Sequence, residues 1–424
     1  MDKRYIAMIM CMMVISVSAQ VKYSLEDCKQ LTVKNNRKIK NSLLGIESSK
    51  EIKKNAFTNY FPSVSASGFG FTAKDPLVAL NMGGTPISFL NNGMSASITA
   101  TQPIFAGGKI VNGNKLADLG TQVSQYQAKL SENDMLLNTE NFYWQLVSLY
   151  DKSKTLDVID AQVDQLLKDV ELSYRMGMIT NNDVLKVKLK KNEVASNRIN
   201  LDNNIKLVKM SLCQLMDLDL TSADSLEILT PDIQDVDSPV KYYVDHKSAL
   251  PNRAEAKLLD KNVEASKLQT KIKRADYMPT VAVGATYYRE NLLDNWSSNG
   301  AVFVSVSVPI SGWWGGSHSI KQQKIQEQIA YNDKIDTEEQ LLLQMQNIKN
   351  ELDNAYKQIL LAKDAIGQSS ENLRLNNEYY KAGTVTLTDV LDAQTLLQQS
   401  RDRYVETYSD YKQKQFEYLQ VTGR

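Results

Sequence analysis

The feature that most constrains this chain is an internal repeat with a marked turn in each half. The segment SYRMGMITNNDVLKVK, Ser173 to Lys188, and the segment EYYKAGTVTLTDVLDA, Glu378 to Ala393, are built alike. In each, a Tyr precedes a Gly by three residues, and Asp-Val-Leu begins six residues after that Gly. Gly177 therefore matches Gly383, and Asp183 matches Asp389. A pattern repeated at this scale governs the whole fold and must be recognised before any single element is assigned.

The elements around the two turns recur in the same order. Leu31, Ile39, Leu43, Ile46 and Ile52 fall at helical spacing, which predicts a helix from Leu25 to Phe57 that stops before Pro62. The period then switches to two, with Val64, Ala66, Gly68 and Gly70 alternating with Ser65, Ser67, Phe69 and Phe71. A turn-rich loop follows, and a second alternating run, from Ala96 to Thr101, ends at Pro103 and Gly107-Gly108. A long helical pattern then runs to Gly177 without a proline, about 65 residues or roughly 100 Å at 1.5 Å per residue. A return helix from Asn182 to Met216 closes the first half. The second half repeats this order: helix from Ala249 to Ala275, Pro279, an alternating run at Val281 and Val283, a loop from Arg289 to Gly300, and an alternating run from Val302 to Val308. Pro309 and Gly315-Gly316 stand where Pro103 and Gly107-Gly108 stood. A long helix from Ser319 to Tyr380, the turn at Gly383 and a helix to Leu419 complete it. The resulting division is a leader over 1–19, a first repeat over 20–217, an acidic irregular segment over 218–247 and a second repeat over 248–424.

Composition removes several classes of function. Lys plus Arg equals Asp plus Glu at 49 each, so the chain offers no basic surface for nucleic acid. Asp2-Lys3-Arg4, the apolar run from Tyr5 to Val17 and the small residues Val17-Ser18-Ala19 form a secretory leader with Gln20 as the first mature residue. Cys11 lies inside that run and no Cys follows the cut, so no lipid-anchor site is expected. Cys28 and Cys213 remain, either as a pair or as two separate packing thiols. His246 and His318 sit in no metal-ligand or catalytic pattern, and the paired glycines lack the Lys-Ser/Thr of a phosphate loop. No enzyme activity, cofactor or metal is expected.

No other stretch approaches the roughly 18 apolar residues of a spanning helix, so membrane contact by the mature chain must be through strands or a surface. The four alternating runs, apolar on one side and small and polar on the other, suit a wall between lipid and water. A soluble two-faced sheet would carry the same alternation. Phe69, Phe71, Tyr287, Tyr288, Trp313 and Trp314 stand near strand ends, where an aromatic girdle would lie. Four strands cannot close a barrel, so copies must associate to give 8, 12 or 16 strands. The long helices are polar around most of their circumference, as the wall of a water-filled tube would be. The glycines at the turns suit left-handed helix ends, and Thr180 to Asn182 and Thr384 to Thr388 offer N-caps.

These features together resemble the outer-membrane efflux proteins, the TolC-like family, over almost the whole mature chain from Ser24 to Leu419. The resemblance implies a mixed α and transmembrane β fold. Long α-helical coiled-coil hairpins and four strands per chain would build a homotrimer with one 12-strand β-barrel in the outer membrane. A periplasmic helical tunnel would be closed at its far end by the tips. It further implies a periplasmic adaptor and an inner-membrane pump or exporter as partners, with cargo leaving by efflux or by type I secretion. Residue by residue, Asp389 and Asp392 match the acidic pair at the narrowest point. Asp183 and Tyr380 match a tip latch, and Tyr174, Gly177 and Gly383 mark the turns that meet the adaptor. The usual basic partner of the latch is replaced by Val385, which leaves a Tyr380–Asp183 hydrogen bond as the alternative. Spacing alone puts Asp389 and Asp392 on one helix face. That fits a ring of carboxylates in an oligomer, and it fits equally a solvated pair of which one caps the helix. The contrasting class is a structural or adhesive coiled-coil protein of the envelope, which explains the helices and the export but not four matched strands.

Overall fold

The structure is a computed structural model that describes residues 22–83, 85–233, 236–291 and 295–424. The expected leader, with Cys11, the cleavage motif and Gln20, lies outside the described residues. The chain forms two compact units, one of residues 42–129 and 254–340, the other of residues up to 41, 130–253 and 341–424.

The first of these units holds the strands. β2 (Ser63–Thr72), β5 (Asn92–Phe105), β7 (Thr280–Asn291) and β8 (Trp296–Ser307) form one antiparallel sheet in that order. The register places Ala66, Ile98, Tyr287 and Gly300 in one cross-strand row, and Ser67 beside Ser97 and Tyr288 in another. One face therefore carries Val64, Ala66, Ile98, Ala100, Val283, Ala285, Val302, Val304 and Val306, and the large apolar side chains among them are exposed. The opposite face carries serine and threonine hydroxyls that bond across strands, Ser67 to Ser97 at 2.8 Å and Thr99 to Thr286 at 2.9 Å. The two-residue period of a strand produces this sorting. It also corrects the girdle. Phe69, Phe71 and Tyr288 lie on the small-polar face, Tyr287 on the apolar face, and Trp313 and Trp314 open a helix.

The strands are longer than the alternating runs suggest, at 10, 14, 12 and 12 residues. Arg289 to Asn291 and Trp296 to Gly300, expected in a loop, are paired backbone. Pro103 lies inside β5, at a register shift between Pro103 and Phe105 where its missing N–H costs no ladder bond. The turn-rich loop contains a hairpin of its own, β3 (Val78–Met82) with β4 (Thr85–Phe89). The two glycine pairs do different work. Gly107 and Gly108 have φ of 61° and 82° and turn the chain into the next helix. Gly316 is helical, and a Cβ there would sit 2.8 Å from the Tyr277 ring.

The helices follow the apolar stripes. α1 (Leu25–Asn35) and α2 (Arg37–Thr58) replace the single expected helix, because Asn36 breaks it. Its side chain accepts from the Lys38 N–H at 2.9 Å, capping α2, and donates to the Leu215 carbonyl at 2.9 Å. α3 (Lys109–Arg175) and α4 (Asn181–Leu215) form the first hairpin. After α5 (His246–Ala249) and α6 (Ala254–Ala275), α7 (Trp313–Lys381) and α8 (Leu387–Val421) form the second. Leu156, Ile159, Val163 and Val170 of α3 are buried, as their spacing requires. Among the described residues no helix is long and apolar enough to cross a membrane.

The irregular segment is ordered by short pieces. β6 (Glu227–Ile228) pairs in parallel with β1 (Lys22–Tyr23), and 3₁₀ turns occupy Leu220–Ser225 and Pro239–Tyr242. The β1–β6 pair and the first 3₁₀ turn cover a core of Tyr143, Trp144, Leu146, Val147, Leu212 and Met216, while Tyr242 of the second packs with Tyr411 and Tyr418. Cys28 and Cys213 are both in this core and both free, and burial pushes the Cys28 thiol up to about 12. Beside it, Glu140 is buried but bonded to Lys29 at 2.7 Å and to the Trp144 indole at 2.9 Å, which ties α1 to α3. Asn36→Ala removes a buried hydrogen bond and a cap together. The expected cost is about 1–3 kcal/mol, read as a lower thermal transition in detergent, with Asn36→Asp costing less because its Oδ1 still caps α2.

Candidate functional site

The two hairpin turns close in the same way. Arg175 ends α3, and the chain reverses through Gly177 at φ 74°. The Gly177 N–H donates to the Tyr174 carbonyl at 2.9 Å and the Met178 N–H to the Ser173 carbonyl at 2.9 Å. At the second turn Gly383 has φ 73°, with Gly383 N–H to Tyr380 at 3.0 Å and Thr384 N–H to Tyr379 at 2.9 Å. Both are Schellman ends, in which a left-handed residue lets the chain satisfy two terminal carbonyls. A Cβ at either glycine would meet no atom within 4 Å, so the requirement is conformational and not steric. Tyr174 is exposed on the first turn together with Met176 and Met178. The second turn reads Lys381-Ala382-Gly383-Thr384 and is more polar.

The acidic residues after the turns differ in their bonding. Asp389 completes a capping box. Its carboxylate accepts from the Thr386 N–H and the Thr386 hydroxyl, both at 2.7 Å, and its own N–H donates back to that hydroxyl. Thr386 thereby holds the Asp389 carboxyl below the usual aspartate range. Asp392 lies one turn on and is exposed. Asp183 accepts from the Thr180 hydroxyl at 2.9 Å and is 3.7 Å from Lys186. Thr180 makes no side-chain bond to the helix backbone, so the first return helix has the weaker cap.

Tyr380 is half-buried between the two hairpins, packed against the apolar clusters of both. Burial raises its phenol pKa, and the nearby Asp183 carboxylate adds to the shift. The two side chains are electrostatic neighbours, but the hydrogen bonds of Asp183 go to its own helix start.

The bonds that join the hairpins come from residues the turn motif does not mark. Lys186 donates to the Thr388 hydroxyl at 2.9 Å. Lys190, 7 % exposed, donates to the Thr395 hydroxyl and to Glu193, both at 3.0 Å. Both lysines are on α4 and both threonines on α8. Gln394, also buried, reaches Gln162 of α3 at 3.2 Å. Leu387 of α8 is buried among Val163, Val184 and Val187 of the first hairpin. The only sequence signal for Lys190 is its place on the buried stripe of α4, where Val187 and Val194 flank it. Among the described residues no group of His, Cys, Asp and Glu side chains converges as a metal site would require.

The chain thus combines an antiparallel sheet that has one apolar and one hydroxyl-bearing face with two long helical hairpins that end in matched turns. Residues 247–424 match the sequence model of the family described as Outer membrane efflux protein. The chain is similar in structure to the Campylobacter jejuni CmeC outer membrane channel, with a TM-score of 0.82 and 16 % identity over 94 % of this chain and 85 % of that one. The outer membrane protein VceC from Vibrio cholerae gives 0.79 and 17 % identity over 94 % and 96 %. The open state of the Neisseria gonorrhoeae MtrE outer membrane channel gives 0.72 and 12 % identity over 94 % and 88 %. The resemblance to the outer-membrane efflux family is thus borne out, by sequence in the second half and by fold over nearly all of the chain.

Gly177→Ala and Gly383→Ala place an L side chain in the left-handed region, at a cost of about 1–2 kcal/mol. Faster hydrogen exchange of the last turn of α3 or α7 is the expected readout, with Asn in place of Ala restoring part of the protection.

Proposed function

We propose that this chain is one protomer of a homotrimeric outer-membrane channel, the exit duct through which cargo passes from the periplasmic side to the outside. The observation that carries this reading is the four-stranded sheet. Its apolar face is exposed and its other face is lined by hydroxyls, as a wall between lipid and water would be. Its outer strands, β2 and β8, each have a neighbour on one side only among the described residues. An edge cannot be left open in hydrocarbon, so β8 of one copy pairs with β2 of the next until the ring closes. Three copies give twelve strands. The hairpins form the periplasmic part, and the tips at Tyr174, Gly177 and Gly383 meet a periplasmic adaptor that couples the duct to an inner-membrane pump or exporter. The likeness in fold to the CmeC and MtrE outer membrane channels supports the channel reading, and the family signature over residues 247–424 supports its efflux form.

In the trimer, Asp389 and Asp392 ring the narrowest point and favour cations over anions. Asp389→Ala with Asp392→Ala should weaken cation selectivity in bilayer recordings, and unchanged selectivity would count against the ring. The Thr386 bonds favour the charged form of Asp389, so their contribution is present above the ordinary aspartate pKa and is lost as pH falls through the lowered one. Thr386→Ala should therefore move the acid loss of selectivity to higher pH.

The latch is carried by Lys186 and Lys190 of α4 on Thr388 and Thr395 of α8, with Tyr380 and Asp183 beside them. Lys186→Met with Lys190→Met keeps the stems and removes the donors. It should raise single-channel conductance about severalfold by loosening the hairpins, since charge-assisted bonds are the stronger ones here. Conductance equal to wild type in folded trimers would rule these lysines out as the latch.

A further inference from the structure

The apolar face of the sheet has one charged side chain among its described residues. Counting along the paired rows, that face carries Val64 to Gly70 of β2, Met94 to Ala100 of β5, Val281 to Tyr287 of β7 and Val302 to Val306 of β8 before any charge is met. Arg289 then follows Tyr287 on the same face, beside Ala96 on one side and Ser298 on the other. It is exposed, and its guanidinium lies over the Trp296 ring with 5.1 Å to the centroid. A charge in the lipid-facing row is tolerated only near an interface, so its place along the strand matters. From Ser298 to Ser307, at about 3.3 Å per residue and a tilt of about 40°, β8 rises about 23 Å, against an apolar band of about 25 Å in such sheets. Arg289 therefore stands at the end of the band away from α6 and α7, whose chain enters and leaves the sheet at Thr280 and Ser307.

The contact with Trp296 positions the guanidinium, and its register neighbours Ala96 and Ser298 are small. None of the hydrogen bonds or ion pairs among the described residues uses that fork. We propose that Arg289 and Trp296, with the Ser298 hydroxyl on the same face, bind the phosphate of an anionic lipid headgroup at the outer edge of the membrane band. The guanidinium meets phosphate oxygens through two parallel N–H bonds, and the indole sits at headgroup level over the first acyl carbons. This inference rests on the reading of the sheet as membrane-embedded.

The test uses the purified full chain, reconstituted in phosphatidylcholine vesicles with or without bisphosphorylated lipid A. Flotation is scored first, and the lipid A retained after re-extraction in mild detergent is then measured by mass spectrometry. Arg289→Gln should float as wild type does but retain about fivefold less lipid A, Arg289→Lys should be intermediate, and Trp296→Leu should also lose retention. Millimolar inorganic phosphate should displace none of it. Equal retention by Arg289→Gln and wild type overturns the assignment, and displacement by inorganic phosphate overturns its lipid form. A wild-type chain that fails to float with any vesicle overturns the membrane reading itself.

Discussion

The structure depends on one constraint, that a β-sheet must satisfy every backbone N–H and C=O wherever water is absent. The four strands satisfy theirs internally except along β2 and β8, and they present valine, isoleucine and alanine on one face without covering it. In water this would be an aggregation hazard on two counts, an open edge and an apolar patch. In the closed ring proposed above, both would become the working surface. The same constraint explains why the strands run past the alternating segments. A longer ladder carries the pairing beyond the apolar rows into polar and charged residues, Arg289 among them.

The two hairpins share a turn and differ in how that turn is held. Both glycines adopt the left-handed conformation for the same reason. The second return helix then starts with a full capping box in which Asp389 is the acid, whereas the first starts with Thr180 bonded to Asp183 side chain to side chain. At the next step along the helix the halves diverge in charge, with Lys186 where the second half has Asp392. Lys186 donates from α4 to the Thr388 hydroxyl of α8, a contact that does not use Asp392. Asp389 is thus both a helix cap and a candidate ring acid. The roles are compatible because an ionised carboxylate with four lone-pair sites can serve its own helix and still carry its charge into a pore.

Much of this was legible in the residues. The repeat, the period switch from helix to strand, the glycine turns and the stripe of α3 each follow from local rules that act over a few residues. What local rules missed has a common cause. Asn36 splits a helix because its side chain finds the Leu215 carbonyl, far away in sequence. Phe69, Phe71 and Tyr288 lie on the hydroxyl face because register, not composition, fixes which way a strand residue points. The two glycine pairs look equivalent in sequence, yet only Gly107-Gly108 makes a left-handed turn. Gly316 is there to admit the Tyr277 ring.

The sequence by itself determined the order of elements, the sorting of each strand into an apolar and a polar side, and the placing of a left-handed turn at Gly177 and Gly383. Those depend on periodicity and on backbone sterics, which are properties of short segments. Only the tertiary structure decided that Lys190 is buried against Thr395, that Asp183 lies near Tyr380, and that Arg289 rides over Trp296 at the end of an apolar row. Each of those needs two segments brought side by side in a fixed register, and the spacing of residues along one chain does not carry that register.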